Sequence, residues 1–200
     1  MSVVVDVEYA ARLLAGERVV AYPTETVYGL GADPESSAAV AALHALKGRD
    51  AERGVSVLVS GLDELVQIAP DLSETARSLA RRYWPGPLTL VVPVAGSSLR
   101  HVRSARGVGF RCSPHPTAAA LRRAAGRPLV STSCNRSGQA PCRTAAEVES
   151  AFGPELCVAG GEAAGGGEPS TVVSVDAGGR MELLREGALR WSDLRSEGET

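Results

Sequence analysis

The sequence predicts a single α/β domain: a twisted, mixed β-sheet flanked by helices. Three observations carry this expectation. Strand-like and helix-like segments alternate along nearly the whole chain, the pattern of layered α/β folds. Its 200 residues are 44% hydrophobic and 22% charged, enough to bury a core of their own. There is no internal repeat, and strand-like sequence resumes after the glycine-rich stretch Gly160–Gly167, which reads as a flexible loop rather than a domain linker. One domain over residues 1–195 is expected, with a frayed tail from Ser196 to Thr200.

The elements follow in order. Val7 to Ala15 has helical apolar spacing, and Gly16 stops it. Arg18 to Tyr22 reads as a strand running into Pro23. Ser36 to Leu46 is alanine-rich and helical, with Asp33, Ser36 or Ser37 as its cap. Val55 to Val59 is a short β-branched strand. Ser73 to Tyr83 is a helix that Pro85 and Pro87 cannot continue. Leu88 to Val94 is a nearly unbroken apolar run, as in a buried strand. Gly107 to Arg111 is a strand, and Thr117 to Ala125 a helix ended by Gly126. Pro128 to Ser131 is a strand and Thr144 to Phe152 a helix. Thr171 to Val175 and Met181 to Leu184 form a closing hairpin about Ala177, Gly178 and Gly179.

Charge and cysteine usage exclude several classes. A formal net charge of −2 gives no whole-molecule attraction to nucleic acid or an anionic membrane. The first residues carry acids where a secretion signal needs bases, and no run approaches the ~20 apolar residues of a membrane span, so a cytoplasmic protein is expected. Cys112, Cys134, Cys142 and Cys157 have no paired metal-ligand spacing and are expected as reduced thiols, with no metal held by side chains.

Three segments carry chemistry. In Tyr22-Pro-Thr-Glu-Thr-Val-Tyr-Gly-Leu-Gly31 a strand ends at proline among hydroxyls and an acid, the edge where α/β folds bind ligands. Taken alone, it is equally a turn with local side-chain hydrogen bonds. Lys47, Arg49 and Arg53 follow a helix end. Lys47 and Arg49, two apart, converge only if the chain leaves the helix at Gly48, and are expected near the surface. They either complement the helix dipole or bind phosphates. In Leu129-Val-Ser-Thr-Ser-Cys-Asn-Arg-Ser-Gly138, Ser131, Ser133 and Asn135 recur at period two and so share one side of an extended chain. Ser133 and Asn135 are expected to face Lys47 and Arg49 across a cleft. Arg111 ends another strand, and Arg100 to Arg106 is a local basic cluster read as a solvated loop. His44 and His115 read as structural, with no triad partner, and there is no Walker motif or GxGxxG.

The ordered set YPTETVYGLG, KGR, WPGPLT, GFRCSPHP, STSCNRSGQAPCRT and EPSTVV resembles the YrdC family of threonylcarbamoyl-AMP synthases, from about Arg18 to Leu189. The resemblance implies a short, single-domain form, YrdC-like in fold. It implies an enzyme joining L-threonine, bicarbonate and ATP into threonylcarbamoyl-AMP, with magnesium accompanying ATP, for threonylcarbamoyl-adenosine modification of tRNA. Proteins that transfer the group to tRNA would be its downstream partners. By the same resemblance Lys47 and Arg49 are catalytic, and Lys47, Arg49, Arg53, Ser133, Asn135 and Arg185 hold ATP. Thr26, Arg111, Ser131 and Thr171 hold threonine, Arg111 through the carboxylate. The chain departs from many relatives at Asp50, Arg53, Gly54 and Leu58, where a proline, an asparagine-proline pair and a histidine are common. Two rivals attach to the same fold: a module binding double-stranded RNA or ribosomes, and a carbamoyl-transfer enzyme.

Overall fold

The computed structural model describes residues 3–48, 54–96 and 99–198. The first half runs β1 (Val4–Val5), α1 (Val7–Ala15), β2 (Val20–Tyr22), β3 (Gly29–Gly31), α2 (Ser37–Lys47), β4 (Ser56–Leu58), α3 (Leu62–Ile68), α4 (Glu74–Tyr83) and β5 (Leu88–Val92). The second half runs β6 (Val108–Arg111), α5 (Pro116–Ala125), β7 (Leu129–Val130), β8 (Thr132–Ser133), α6 (Ala145–Phe152), β9 (Val158–Ala159), β10 (Thr171–Val175), β11 (Met181–Arg185) and α7 (Trp191–Gly198). Short polar side chains fix the helix starts. Asp6, Ser36, Ser73 and Thr144 each accept the amide three residues on, and His115 takes that role for α5. Of the three caps open for α2, Ser36 is the one used. α7 extends over Ser196–Gly198, part of the stretch expected to fray, and residues 199 and 200 lie outside the described residues.

The α/β class holds, but the strands divide between two mixed sheets rather than forming one. The orders are β1-β9-β2-β3-β8 and β11-β10-β5-β6-β4-β7. The division explains the polar run after Pro128. Val130 pairs with Val57 in the second sheet, whereas Thr132 pairs with Leu30 in the first. Ser131 is the single residue between them, where the chain crosses from sheet to sheet. The glycine-rich stretch after β9 makes the reverse crossing, from the first sheet to β10 in the second.

The larger core packs Leu30, Leu43, Leu79, Leu90 and Phe110, all fully buried, between the sheets and α2, α4 and α6. A smaller core, with Leu14, Tyr22, Leu58 and Leu121, lies under α1 and α5. Truncating a side chain such as Phe110 to alanine typically costs ~3–5 kcal/mol. These cores leave the seam between the sheets lined by polar side chains. No helix among the described residues is long and apolar enough to cross a membrane.

Candidate active site

The seam holds a cleft of about 240 Å³, lined by Thr26, Ser56, Thr89, Arg111, Ser131, Ser133, Ser170 and Arg185 among others. A second hollow of about 270 Å³ adjoins it and shares Gly54, Val55, Ser56 and Val172 in its lining. Five of the site residues expected from sequence (Thr26, Arg111, Ser131, Ser133 and Arg185) therefore meet in one place, drawn from β6, β8, β11, the turn after β2 and the crossing between sheets.

Arg111 is the buried cation of the cleft, 7% exposed. Its Nη2 donates to Glu25 Oε1 at 2.5 Å, and Ser113 donates its hydroxyl to the other Glu25 oxygen. Glu25 was not among the expected site residues. Its only signal in the sequence is an acid between two threonines just beyond a strand. Arg111 Nε is buried with no hydrogen-bond partner among the described residues. Arg185 donates to the Ser170 carbonyl at 2.8 Å, and the Ser170 hydroxyl bonds with that of Thr89 at 2.9 Å. Burial, and then the neighbouring charge of Arg111, push the Arg185 guanidinium below its ordinary value. Two cations bordering one cleft favour an anion between them.

The second wall is the turn after β8. Gly48 adopts a left-handed conformation with φ 61°, which lets the chain leave α2 immediately after Lys47. Lys47, expected near the surface, is instead 2% exposed. Its ammonium donates to the carbonyls of Ser133 and Asn135 and to Asn135 Oδ1. Lys47 therefore does not face Ser133 and Asn135 across the cleft but is bonded to the turn they form, and of the three only Ser133 lines the cleft. Buried ammonium groups require such partners, which explains the difference. Ser133 completes the wall by donating its hydroxyl to Asn135 Oδ1 at 2.5 Å.

Thr171 is not brought to the cleft. It is fully buried, its hydroxyl donates to the Leu189 carbonyl and accepts the amides of Gly187 and Leu189, and the cleft is reached by its neighbour Ser170. Arg49, Asp50 and Arg53 lie outside the described residues. Ser131 Oγ is buried with no hydrogen bond of ordinary geometry among the described residues, and it lies beside the Tyr22 hydroxyl, whose ionised form it favours. The basic cluster is tied to its own chain: Arg103 donates to the Gly96 carbonyl and Arg106 pairs with Glu182 at 2.8 Å. His44 is buried in α2, 6% exposed.

The glycine-rich stretch, expected to be flexible, is fastened over the Thr24–Glu25 turn. The Gly165 amide donates to the Thr24 carbonyl at 2.9 Å, Arg143 donates to the Gly166 carbonyl at 2.6 Å, and Tyr28 donates to the Glu162 carbonyl. A Cβ on Gly165 would lie 2.3 Å from the Glu25 carbonyl oxygen, so glycine is what allows this approach.

Guanidinium groups and unspent hydroxyls suit carboxylate and phosphate oxygens. All four cysteines are free thiols. A sequence model of the Sua5–yciO–yrdC family, described as telomere recombination, matches residues 12–187. The threonylcarbamoyl-AMP synthase of Klebsiella pneumoniae subsp. pneumoniae is 39% identical over 184 residues, 90% of this chain and 95% of that protein. That of Thiobacillus denitrificans is 42% identical over 161 residues, 80% of this chain and 86% of that protein. The structure of P. abyssi Sua5 complexed with L-threonine superposes with a TM-score of 0.87 at 32% identity, and covers 96% of this chain. The chain spans 56% of that longer protein.

Proposed function

The chain belongs to the Sua5–yciO–yrdC family, and from that premise we propose that it is an L-threonylcarbamoyladenylate synthase, making threonylcarbamoyl-AMP and pyrophosphate from L-threonine, bicarbonate and ATP. One observation carries the reading furthest. The seam gathers Arg111, Arg185, Thr26, Ser131 and Ser133 around one cleft, in a fold that in P. abyssi Sua5 has been solved with threonine bound.

Arg111 takes the threonine carboxylate, oriented by Glu25, and Thr26, Ser131 and Ser170 supply hydroxyls around the amino acid. Ser170 replaces Thr171 in this role because it borders the cleft, whereas Thr171 is turned into the fold. Ser133, Asn135 and Arg185 hold the nucleotide, with Arg49 and Arg53 assigned there from sequence alone. Lys47 acts chiefly through the wall it braces. Its ammonium meets three acceptors, so it offers the phosphates a fixed nearby charge rather than a free donor.

The threonine amine and bicarbonate form a carbamate with loss of water. A carbamate oxygen then attacks the α-phosphorus of ATP, and the bond to the bridging oxygen breaks to release pyrophosphate. Negative charge accumulates on phosphate oxygens, so the protein contributes position and fixed positive charge rather than a nucleophile. Magnesium arrives with the nucleotide and supplies charge neutralisation. The cleft's own donors fit the phosphates rather than a metal cage, because the Glu25 carboxylate is taken up by Arg111 and Ser113. The mixed-anhydride product hydrolyses readily, which calls for a sheltered cleft and for transfer proteins that carry the group to tRNA. We place this chemistry in the cytoplasm.

Mass spectrometry of the product from isotopically labelled bicarbonate tests the assignment. The label should appear in a threonine-containing adenylate, with pyrophosphate released only when all three substrates are present. Pyrophosphate release without threonine, or none at all, sinks it.

A further inference from the structure

Cys134 sits between Ser133 and Asn135, and Cys142 closes the same turn. Both are buried, 0% and 5% exposed. The Cys142 amide donates to the Cys134 carbonyl at 2.8 Å. Tyr28 ties the two together: its carbonyl accepts the Cys134 amide at 2.8 Å and its amide donates to the Cys142 carbonyl at 2.8 Å. Cys142 is thus wedged into the ladder that continues β3 and β8. Backbones joined this way hold their Cα atoms about 4.5–6.5 Å apart, within the span a disulfide bridges. Each thiol is the largest influence on the other's protonation, as their backbone proximity requires. Contact with Cys134 pushes the Cys142 thiol down, and the Lys47 charge favours a thiolate on either sulfur. A thiol lowered by a second thiol and a nearby cation is the more oxidisable of the two, and Cys142, at 5% against 0%, is also the one nearer solvent.

We propose that Cys134 and Cys142 form an oxidisable pair, converted by a hydroperoxide into a disulfide that disables the adjoining nucleotide wall. The Cys142 thiolate attacks the peroxide, an S–O bond forms, the O–O bond breaks, and one oxygen leaves as water or alcohol. The Cys134 sulfur then attacks the Cys142 sulfur, the S–S bond forms and a second water leaves. Two thiols lose two protons and two electrons, and one hydroperoxide is reduced. Drawing the sulfurs together to ~2.05 Å strains the turn that carries both cysteines, and Cys134 is flanked there by the Ser133 and Asn135 carbonyls that Lys47 holds. Cys157 is partly exposed and Cys112 is buried, with burial pushing its thiol up to about 11, so these two serve as internal controls.

The inference rests on the proposed function only for its consequence, so chemistry and consequence are read separately. The full chain is treated with hydrogen peroxide, its remaining thiols are alkylated, and its peptides are mapped, while ATP binding is measured by calorimetry before and after dithiothreitol. A cross-link joining 134 to 142, with ATP affinity falling at least about tenfold and recovering on reduction, is the expected result. Cys142→Ala should bind ATP as the parent does and keep that affinity in peroxide. Free thiols at 134 and 142 after Cys157 has oxidised overturn the pair. Equal loss of ATP binding in Cys142→Ala overturns the consequence. A preparation that cross-links and loses ATP binding but never releases pyrophosphate would sink the synthase assignment and leave the pair standing.

Discussion

Arg111 and Glu25, 86 residues apart in sequence, meet at 2.5 Å inside the seam between the two sheets. The pair is nearly buried, with side-chain exposures of 8% and 14%. Glu25 offers its second oxygen to Ser113, so both ends of the carboxylate are fixed and the guanidinium is aimed rather than merely neutralised.

Glu25→Ala should therefore raise KM for threonine about tenfold or more while changing KM for ATP little, and Glu25→Gln, which keeps a hydrogen-bond acceptor, should recover part of the loss. A purely structural role would raise both constants together. Steady-state pyrophosphate release at varied threonine and at varied ATP separates the two outcomes.

Lys47→Ala should lower turnover by roughly 10²-fold, as loss of fixed charge near a phosphoryl centre does. It should also destabilise the fold by about 1–3 kcal/mol, because the carbonyls of Ser133 and Asn135 lose their donor. Denaturant unfolding of the variant, beside its activity, reads both effects. An unchanged unfolding midpoint would refute the bracing role.

Ser131→Ala is expected to split stability from function. Its hydroxyl is buried beside that of Tyr22 with no hydrogen bond of ordinary geometry among the described residues, so removing it should change the stability of the unliganded protein by no more than about 1 kcal/mol. Threonine KM should rise, since a ligand is what satisfies that hydroxyl. If stability falls by more than that and KM is unmoved, the hydroxyl serves the fold and not the substrate.

Burial pushes the Tyr22 hydroxyl up to about 12 from an ordinary value of 10.0. The neutral phenol is the form the fold favours, so its contribution is whole below pH 10 and is lost as pH climbs towards 12. The loss should reach about 2–3 kcal/mol. Tyr22→Phe has no proton to lose, and its stability over that interval should fall less than the parent's by this amount. Parallel curves for the two proteins would show that other groups dominate alkaline unfolding.

Local chemistry made much of the fold legible. α1 runs from Val7 to Ala15 as its apolar spacing and flanking Asp6 and Gly16 require. The seven-residue α3 escaped notice because Gly61 precedes it with no side-chain cap. β3 is Gly-Leu-Gly, with no strand-like composition. Its glycines are there because a Cβ at Gly29 or Gly31 would come within 3.0–3.1 Å of the Tyr22 ring. In the site, the period-two serines were readable because an extended chain obliges them to share a side, and Ser131 and Ser133 do line the cleft. What could not be read were pairings between distant segments: Glu25 with Arg111 across the seam, and Lys47 with the turn after β8, which the β3–β8 pairing of the first sheet brings to the end of α2. Thr171 misled for a related reason, since its hydroxyl is claimed by a turn 16 to 18 residues downstream.

The pairing of β1 with β9 sets an order of events during synthesis. Val4 and Val5 lie parallel to Val158 and Ala159, and the Val5 carbonyl receives the Gly160 amide at 3.0 Å. β1 leaves the ribosome well before β9 and must wait for it before it has a neighbour in the sheet. Until then the emerging chain presents the exposed side chains of Val3, Val4 and Tyr9 beside an unpaired strand, which is the stage at which a chaperone or a neighbouring nascent chain would compete for it.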